Sequence, residues 1–146
     1  MWVLRIVAFT FFMIGNAIAG ELIVKDSANS VDETVAKLTA AIENAGAKVF
    51  AVVDHAKGAS SVGEELAPAT LVIFGNPKIG TPIMQNAIEA GLDLPMRVLV
   101  YEDGRQTKIT YLDPAALKDR HKIEGAEGVF KTMTGALNKL TDAASN

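Results

Sequence analysis

The chain of 146 residues carries 14 Lys and Arg against 17 Asp and Glu, 49% apolar residues, 12 Gly and no Cys, a composition that fits one compact domain. A charged fraction of 21% with a mean hydropathy of +0.23 excludes a disordered chain, and a net charge of −3 without any cluster of Lys and Arg argues against a nucleic-acid surface. The absence of Cys excludes disulfides, a thiolate nucleophile, Cys-bound zinc or iron–sulfur centres and covalent haem through Cys-x-x-Cys-His.

Met1 and Arg5 give a short positive start, Ile6 to Ile14 is apolar apart from Thr10, and Ala17-Ile18-Ala19 places small residues where a signal peptidase reads. The pattern predicts a signal peptide over 1–19, a single domain over 20–146, and a periplasmic or secreted protein. The alternative is an uncleaved membrane anchor, but the apolar stretch from Ile6 to Ala19 is shorter than the ~20 residues that span a bilayer and contains Asn16; no stable membrane insertion is expected after cleavage. Loss of Arg5 leaves 13 basic against 17 acidic side chains, a charge of −4.

Glu21 to Lys25 reads as a short strand. Ser30 followed by Glu33 is a capping-box signature, and Val31, Val35, Leu38, Ile42 and Ala45 share one helical face that Gly46 is suited to end. Lys48 to Val53 predicts a strand, and Asp54 can cap a helix carrying Ala56, Ala59, Val62 and Leu66, which Gly58 and Gly63 weaken. Thr70 to Phe74, an unbroken apolar run between Pro68 and Gly75, predicts a central strand covered on both faces. Asn76-Pro77 and Thr81-Pro82 are two cap-plus-proline pairs leading into a helix with Ile83, Met84, Ala87 and Ile88, stopped by Gly91. Met96 to Glu102 and Gln106 to Leu112 flank Asp103-Gly104, a hairpin signal. Asp113-Pro114 caps a short helix to about His121, and Val129, Phe130, Met133, Leu137 and Leu140 mark a final amphipathic helix. The fold expected is α/β, with α+β as the alternative: a single mixed sheet of about five strands with helices packed on it, in the order βαβαβαββαα.

Three stretches carry a family resemblance: Asp54-His55-Ala56, the block from Leu71 through Phe74-Gly75-Asn76-Pro77-Lys78-Ile79-Gly80-Thr81-Pro82 to Gln85, and Gly91-Leu92-Asp93-Leu94-Pro95. Together with Tyr111-Leu112-Asp113-Pro114 and Arg120-His121 they resemble the domain-of-unknown-function family 302 (DUF 302) from about Glu21 to His121. The resemblance implies a small α/β domain, often exported in bacteria, commonly a homodimer, with no agreed biochemical role.

The candidate ligand-binding residues are His55, Asn76, Lys78, Thr81 and Met84. Where a strand opens through Gly75 and Asn76 into a helix start, free backbone N–H groups and Lys78 could face an anion; the bland reading is a sharp turn in which Asn76 caps, Pro77 begins the helix and Lys78 is a solvated charge. His55 and His121 are the only histidines, suited to bind a metal or haem iron, although His55 also fits a structural helix-start residue after Asp54 and His121 a cation at the end of a short helix. No His-x-x-His or His-x-x-x-His spacing supports zinc, and no Gly-x-Ser-x-Gly elbow supports a serine nucleophile. Met84, Met96 and Met133 with Phe50, Phe74 and Phe130 could line an adaptable apolar pocket, core packing being the stronger reading, and Tyr101 and Tyr111 are expected to form a cross-strand pair.

Three function classes are compatible with these residues. The leading one is an exported, non-enzymatic homodimer that binds a small ligand, with non-covalent haem held by His55 or His121 as one version. Its rival is an enzyme acting on a small anionic substrate gripped by Asn76, Lys78 and Thr81 in the Gly75–Thr81 loop. The third is a purely structural or protein-interaction module.

Overall fold

The β-branched and aromatic segments pair into one sheet, and the amphipathic segments bury their apolar stripes on a single face of it. The computed structural model describes residues 21–146; the predicted signal peptide over 1–19 lies outside them. Five strands, β1 (Leu22–Ser27), β2 (Lys48–Asp54), β3 (Ala69–Gly75), β4 (Met96–Asp103) and β5 (Gln106–Leu112), lie in the order β1-β5-β4-β3-β2. All four pairings are antiparallel. The helices are α1 (Val31–Asn44), α2 (His55–Ser61), α3 (Pro77–Asn86), α4 (Pro114–Arg120) and α5 (Glu127–Ser145), with a 3-10 turn over Ile88–Leu92 between α3 and β4. The expected element order βαβαβαββαα and the single five-stranded sheet with helices packed on it are both present; the expected mixed sheet is antiparallel at every described pairing.

Helix α1 forms as its signals require. The Ser30 hydroxyl accepts the Glu33 N–H at 3.2 Å, and Gly46 takes a positive φ of 74° just after the helix, which a side chain would resist. Its buried residues Val31, Thr34, Leu38 and Ile42 face α5, which contributes Phe130, Met133, Leu137 and Leu140. Beneath them lie Val72, Phe74, Met96, Val98, Val100, Ile109 and Tyr111 from the sheet. Two polar contacts border this layer: a buried one between Ser27 and Thr34 at 2.8 Å, and a half-buried one in which the Tyr111 hydroxyl donates to Asn138 Oδ1 at 3.1 Å.

Three expectations are corrected. Strand β3 is second from the sheet edge, with β4 at the centre, and its residues alternate between buried and half-buried. Its unbroken apolar run therefore reflects a helix-covered face plus an open one, since an antiparallel sheet needs cover on only one side. The second helix ends at Ser61 and buries none of its residues; Val62 and Leu66 lie beyond it, 75% and 52% exposed, because Gly58 weakens the helix and Gly63 turns the chain at φ 81°. Tyr101 pairs with Lys108 and Tyr111 with Val98, so the two tyrosines stand on opposite faces of the sheet.

The third helix begins earlier than Thr81-Pro82 suggests. Asn76 is its cap, Pro77 its first residue, and Thr81 and Pro82 lie inside it. Consequently Gly75 and Pro77 are separated by a single residue and no loop runs from Gly75 to Thr81. Asn76→Ala is expected to cost about 1 kcal/mol and Thr81→Ala under about 0.5 kcal/mol in urea melts; equal costs would restore the later start.

Candidate functional site

Where β3 runs into α3, the chain makes a close approach: a Cβ on Gly75 would meet Pro95 Cβ at 3.3 Å and Phe50 Cε2 at 3.6 Å. A bulge between Val49 and Ala51 shifts the local alternation at Phe50, and the Phe50 ring stands beside Gly75 and Pro95 at the end of the sheet. These two devices frame an apolar cavity of about 510 Å³ between the end of the sheet, α3 and α5. Its walls are Phe50 and Phe74 from the sheet, Ile79 and Met84 from α3, Leu94, Pro95 and Met96 from the entry to β4, and Met133, Leu137 and Leu140 from α5. Asn76, Thr81 and Thr132 are the polar side chains on it, and no charged residue lines it. The volume falls within the ~300–1,000 Å³ of small-molecule sites.

Of the candidate ligand residues, Asn76, Thr81 and Met84 line this cavity, while Lys78 and His55 do not. Lys78 is exposed on α3, between the lining residues Pro77 and Ile79. His55 is exposed at the far end of β2: Asp54 pairs with Thr70 whereas Lys48 pairs with Gly75. Antiparallel pairing thus sets His55 about a strand's length, roughly 17 Å, from Gly75. Of the Met and Phe residues read as pocket or core, Met84, Met96, Met133, Phe50 and Phe74 line the cavity, and Phe130 is core only.

The backbone donors at the α3 start are already used. Pro77 has none, Lys78 N–H is held by Asn76 Oδ1 at 2.9 Å, and Ile79 and Gly80 N–H are held by the Asn76 carbonyl at 2.9 and 3.0 Å.

A second constellation joins residues that the sequence keeps apart. Asp93, with 9% of its side chain exposed, accepts from His121 Nε2 at 2.8 Å through Oδ2, from Arg120 Nη1 through Oδ1 at 3.0 Å and Oδ2 at 3.1 Å, and from Arg97 Nη2 at 3.2 Å. The other Arg120 nitrogen reaches Glu21 Oε2 at 3.1 Å. Burial pushes the Asp93 carboxyl up, but hydrogen bonds from His121 and Arg120 and their charges outweigh it and hold the carboxyl below its ordinary value. A carboxylate only accepts, so the His121 Nε2 carries the proton here. His121 lies just after α4, near the Met96 end of β4, so the structure does not bring His55 and His121 together. Among the described residues no group of three or more His, Asp and Glu could hold a metal ion. Asp93 was missed as a functional candidate; its only sequence signal was its place in the family-matching stretch Gly91–Pro95.

A protein from Brucella suis biovar 1 (strain 1330) named "Fluoride-specific ion channel FluC 1" is 41% identical over 126 residues, 85% of this chain and 50% of its own length. A counterpart of the same name from Brucella abortus biovar 1 (strain 9-941) is likewise 41% identical, with 47% of its length covered. The chain thus spans about half the length of the curated relatives it matches. No helix among the described residues is long and apolar enough to cross a membrane. The crystal structure of an uncharacterized conserved protein DUF302 from Bacillus stearothermophilus shares the fold, with a TM-score of 0.79 at 18% identity over 86% of this chain and 99% of that one. Residues 23–140 match the domain of unknown function DUF302, and the chain belongs to that family.

Proposed function

We propose that this domain is a non-catalytic binding module that takes a small, mainly apolar ligand into the cavity between α3 and α5. The observation that carries the reading is the cavity itself: about 510 Å³ walled by adaptable thioethers and rings, with few polar groups to fix orientation. The neutral fluorophore N-phenyl-1-naphthylamine is the probe. Wild type should enhance and blue-shift its emission, and Ala136→Trp, which places an indole at an exposed lining position, should reduce affinity at least about tenfold while circular dichroism and melting temperature stay unchanged. No enhancement by wild type would overturn the reading. Haem remains a proposed occupant of the molecule, but an iron held by His55 or His121 would sit outside this cavity. A Soret band lost in His55→Ala or His121→Ala supports it, and no band in wild type removes it.

The open face of the sheet supports a homodimer. In register across all five strands lie Val24, Thr110, Leu99, Leu71 and Val53, with Val24 and Val53 52% and 39% exposed. A second copy would cover this row as an isologous contact. Light scattering at tens of micromolar, in the range of ordinary weak-dimer affinities, should give twice the chain mass, and Leu71→Lys should give a monomer; a monomeric wild type removes the dimer. Export rests on the pattern in residues 1–19, and intact mass of the exported protein, expected to begin at Gly20, checks it.

The names of the Brucella relatives favour a second reading, in which the domain serves anion handling. A stretch of about half their length that resembles this chain would act as an accessory to a channel carried elsewhere in them. Fluoride titration followed by ¹⁹F nuclear magnetic resonance tests direct anion binding: a saturable shift supports it, and a linear, non-saturating response removes it.

A further inference from the structure

We infer that the ligand is an amphipathic carboxylate, its hydrocarbon body inside the cavity and its anionic head at the opening beside Lys48 and Lys78. This rests on the binding-module reading and names the class of molecule bound. The interior has no charged lining residue, so a charge buried there would lose its hydration with nothing to replace it. The opening is different. Lys48 is the register partner of Gly75, and its ammonium lies 5.5 Å from the centroid of the Phe50 ring, itself a wall of the cavity and half exposed. Lys78 is exposed between two lining residues of α3. Among the described residues, neither lysine has a carboxylate within ion-pair distance, a state shared with Lys57, Lys122, Lys131 and Lys139 and not with Lys25, Lys37, Lys108 and Lys118; Lys48 is the one that stands over a ring of the cavity wall. Two unpaired cations thus flank the mouth of an uncharged apolar chamber. Ammonium groups recognise a point charge, without the bidentate geometry an arginine fork would impose. Asn76, whose Oδ1 is committed to Lys78 N–H, reaches the Gly46 carbonyl only at 3.5 Å, so its Nδ2 can donate to the same head group.

Decanoate and decan-1-ol share a hydrocarbon body and differ in charge, so displacement of N-phenyl-1-naphthylamine by each separates the head from the body. The expected result is that decanoate displaces the probe at about fivefold lower concentration than decan-1-ol, the size of one or two exposed ion pairs. That advantage should shrink as salt is added and vanish in Lys48→Gln/Lys78→Gln, while the alcohol is unaffected by either change. Equal displacement by acid and alcohol would overturn the anionic head and leave the binding-module reading standing. An advantage that survives in the double variant would overturn its assignment to these lysines. Failure of wild type to bind the fluorophore at all would be the failure of the binding-module reading itself.

Discussion

Leu38→Ala is expected to destabilise the domain by about 3–4 kcal/mol, lowering the melting temperature by about 10 °C or more. Leu38 is fully buried on the stripe of α1 that meets both α5 and the sheet, so the deleted atoms leave a void with packed walls on every side. Leu137→Ala supplies the comparison. Leu137 is as well buried, at 2% exposure, but one side of it already borders the cavity. Its removal forfeits fewer contacts and enlarges a space that is already open, and about 2 kcal/mol is expected. Leu92→Ala, at a residue 81% exposed, should stay within about 0.5 kcal/mol. Urea melts of the three variants give the order directly. If Leu137→Ala costs as much as Leu38→Ala, the cavity is closed and filled by protein in solution, and the binding-module reading fails with it.

The elements that sequence patterns located best were those whose signals are local and mutually consistent. Ser30 and Gly46 bracket α1, and Gly104, at φ 64°, starts a two-residue hairpin turn between β4 and β5. Helix α3 carried conflicting signals, with two cap-and-proline pairs. Asn76 won because β3 delivers the chain there, while Pro82, which lacks an N–H, falls where its missing partner would be the carbonyl of the exposed Lys78. The position of β3 within the sheet was not legible, because apolar runs report burial and half-burial alike and say nothing about strand order. The cavity walls were legible as apolar residues but not as a cavity: Phe50 of β2, Met84 of α3 and Met133 of α5 meet only through the tertiary packing at the end of the sheet, which no local pattern reports. His55 was grouped with Asn76, Lys78, Thr81 and Met84 as a candidate ligand residue, and it and the Gly75 segment each follow the carboxyl end of a strand. Antiparallel pairing of β2 with β3 sends those ends in opposite directions. Asp93 meets Arg120 and His121 across separations of 27 and 28 positions, which no spacing rule can join.

Asp93→Asn is the other substitution with a large expected effect, about 2 kcal/mol near neutral pH. Removing one partner of a buried ion pair commonly costs ~3–5 kcal/mol because the other charge is stranded. Here Arg97 and Arg120 keep 48% and 41% of their side chains exposed and can turn to water, whereas His121, at 9%, cannot, which places the cost below that range. The pH dependence has a definite sign. The folded Asp93 carboxyl titrates below its ordinary value, so its contribution is complete above the unfolded value near ~3.9 and is lost as pH falls through the lower folded value. The stability gap between wild type and Asp93→Asn should therefore be larger at pH 5 than at pH 3, and the reverse order would show that the carboxylate is not stabilised by its partners. Arg120→Gln combined with Asp93→Asn should cost less than the sum of the two single changes, because they share one interaction. The cluster also bears on the cavity, since Leu94, Pro95 and Met96, the residues that follow Asp93, form one of its walls. Loosening that anchor should weaken N-phenyl-1-naphthylamine binding by only a few fold at temperatures where the variant is folded, far less than Ala136→Trp does. Unchanged affinity in Asp93→Asn would make the cluster a purely structural tie between α4, β1 and β4. A loss as complete as that of Ala136→Trp would instead place Asp93 within the binding site itself.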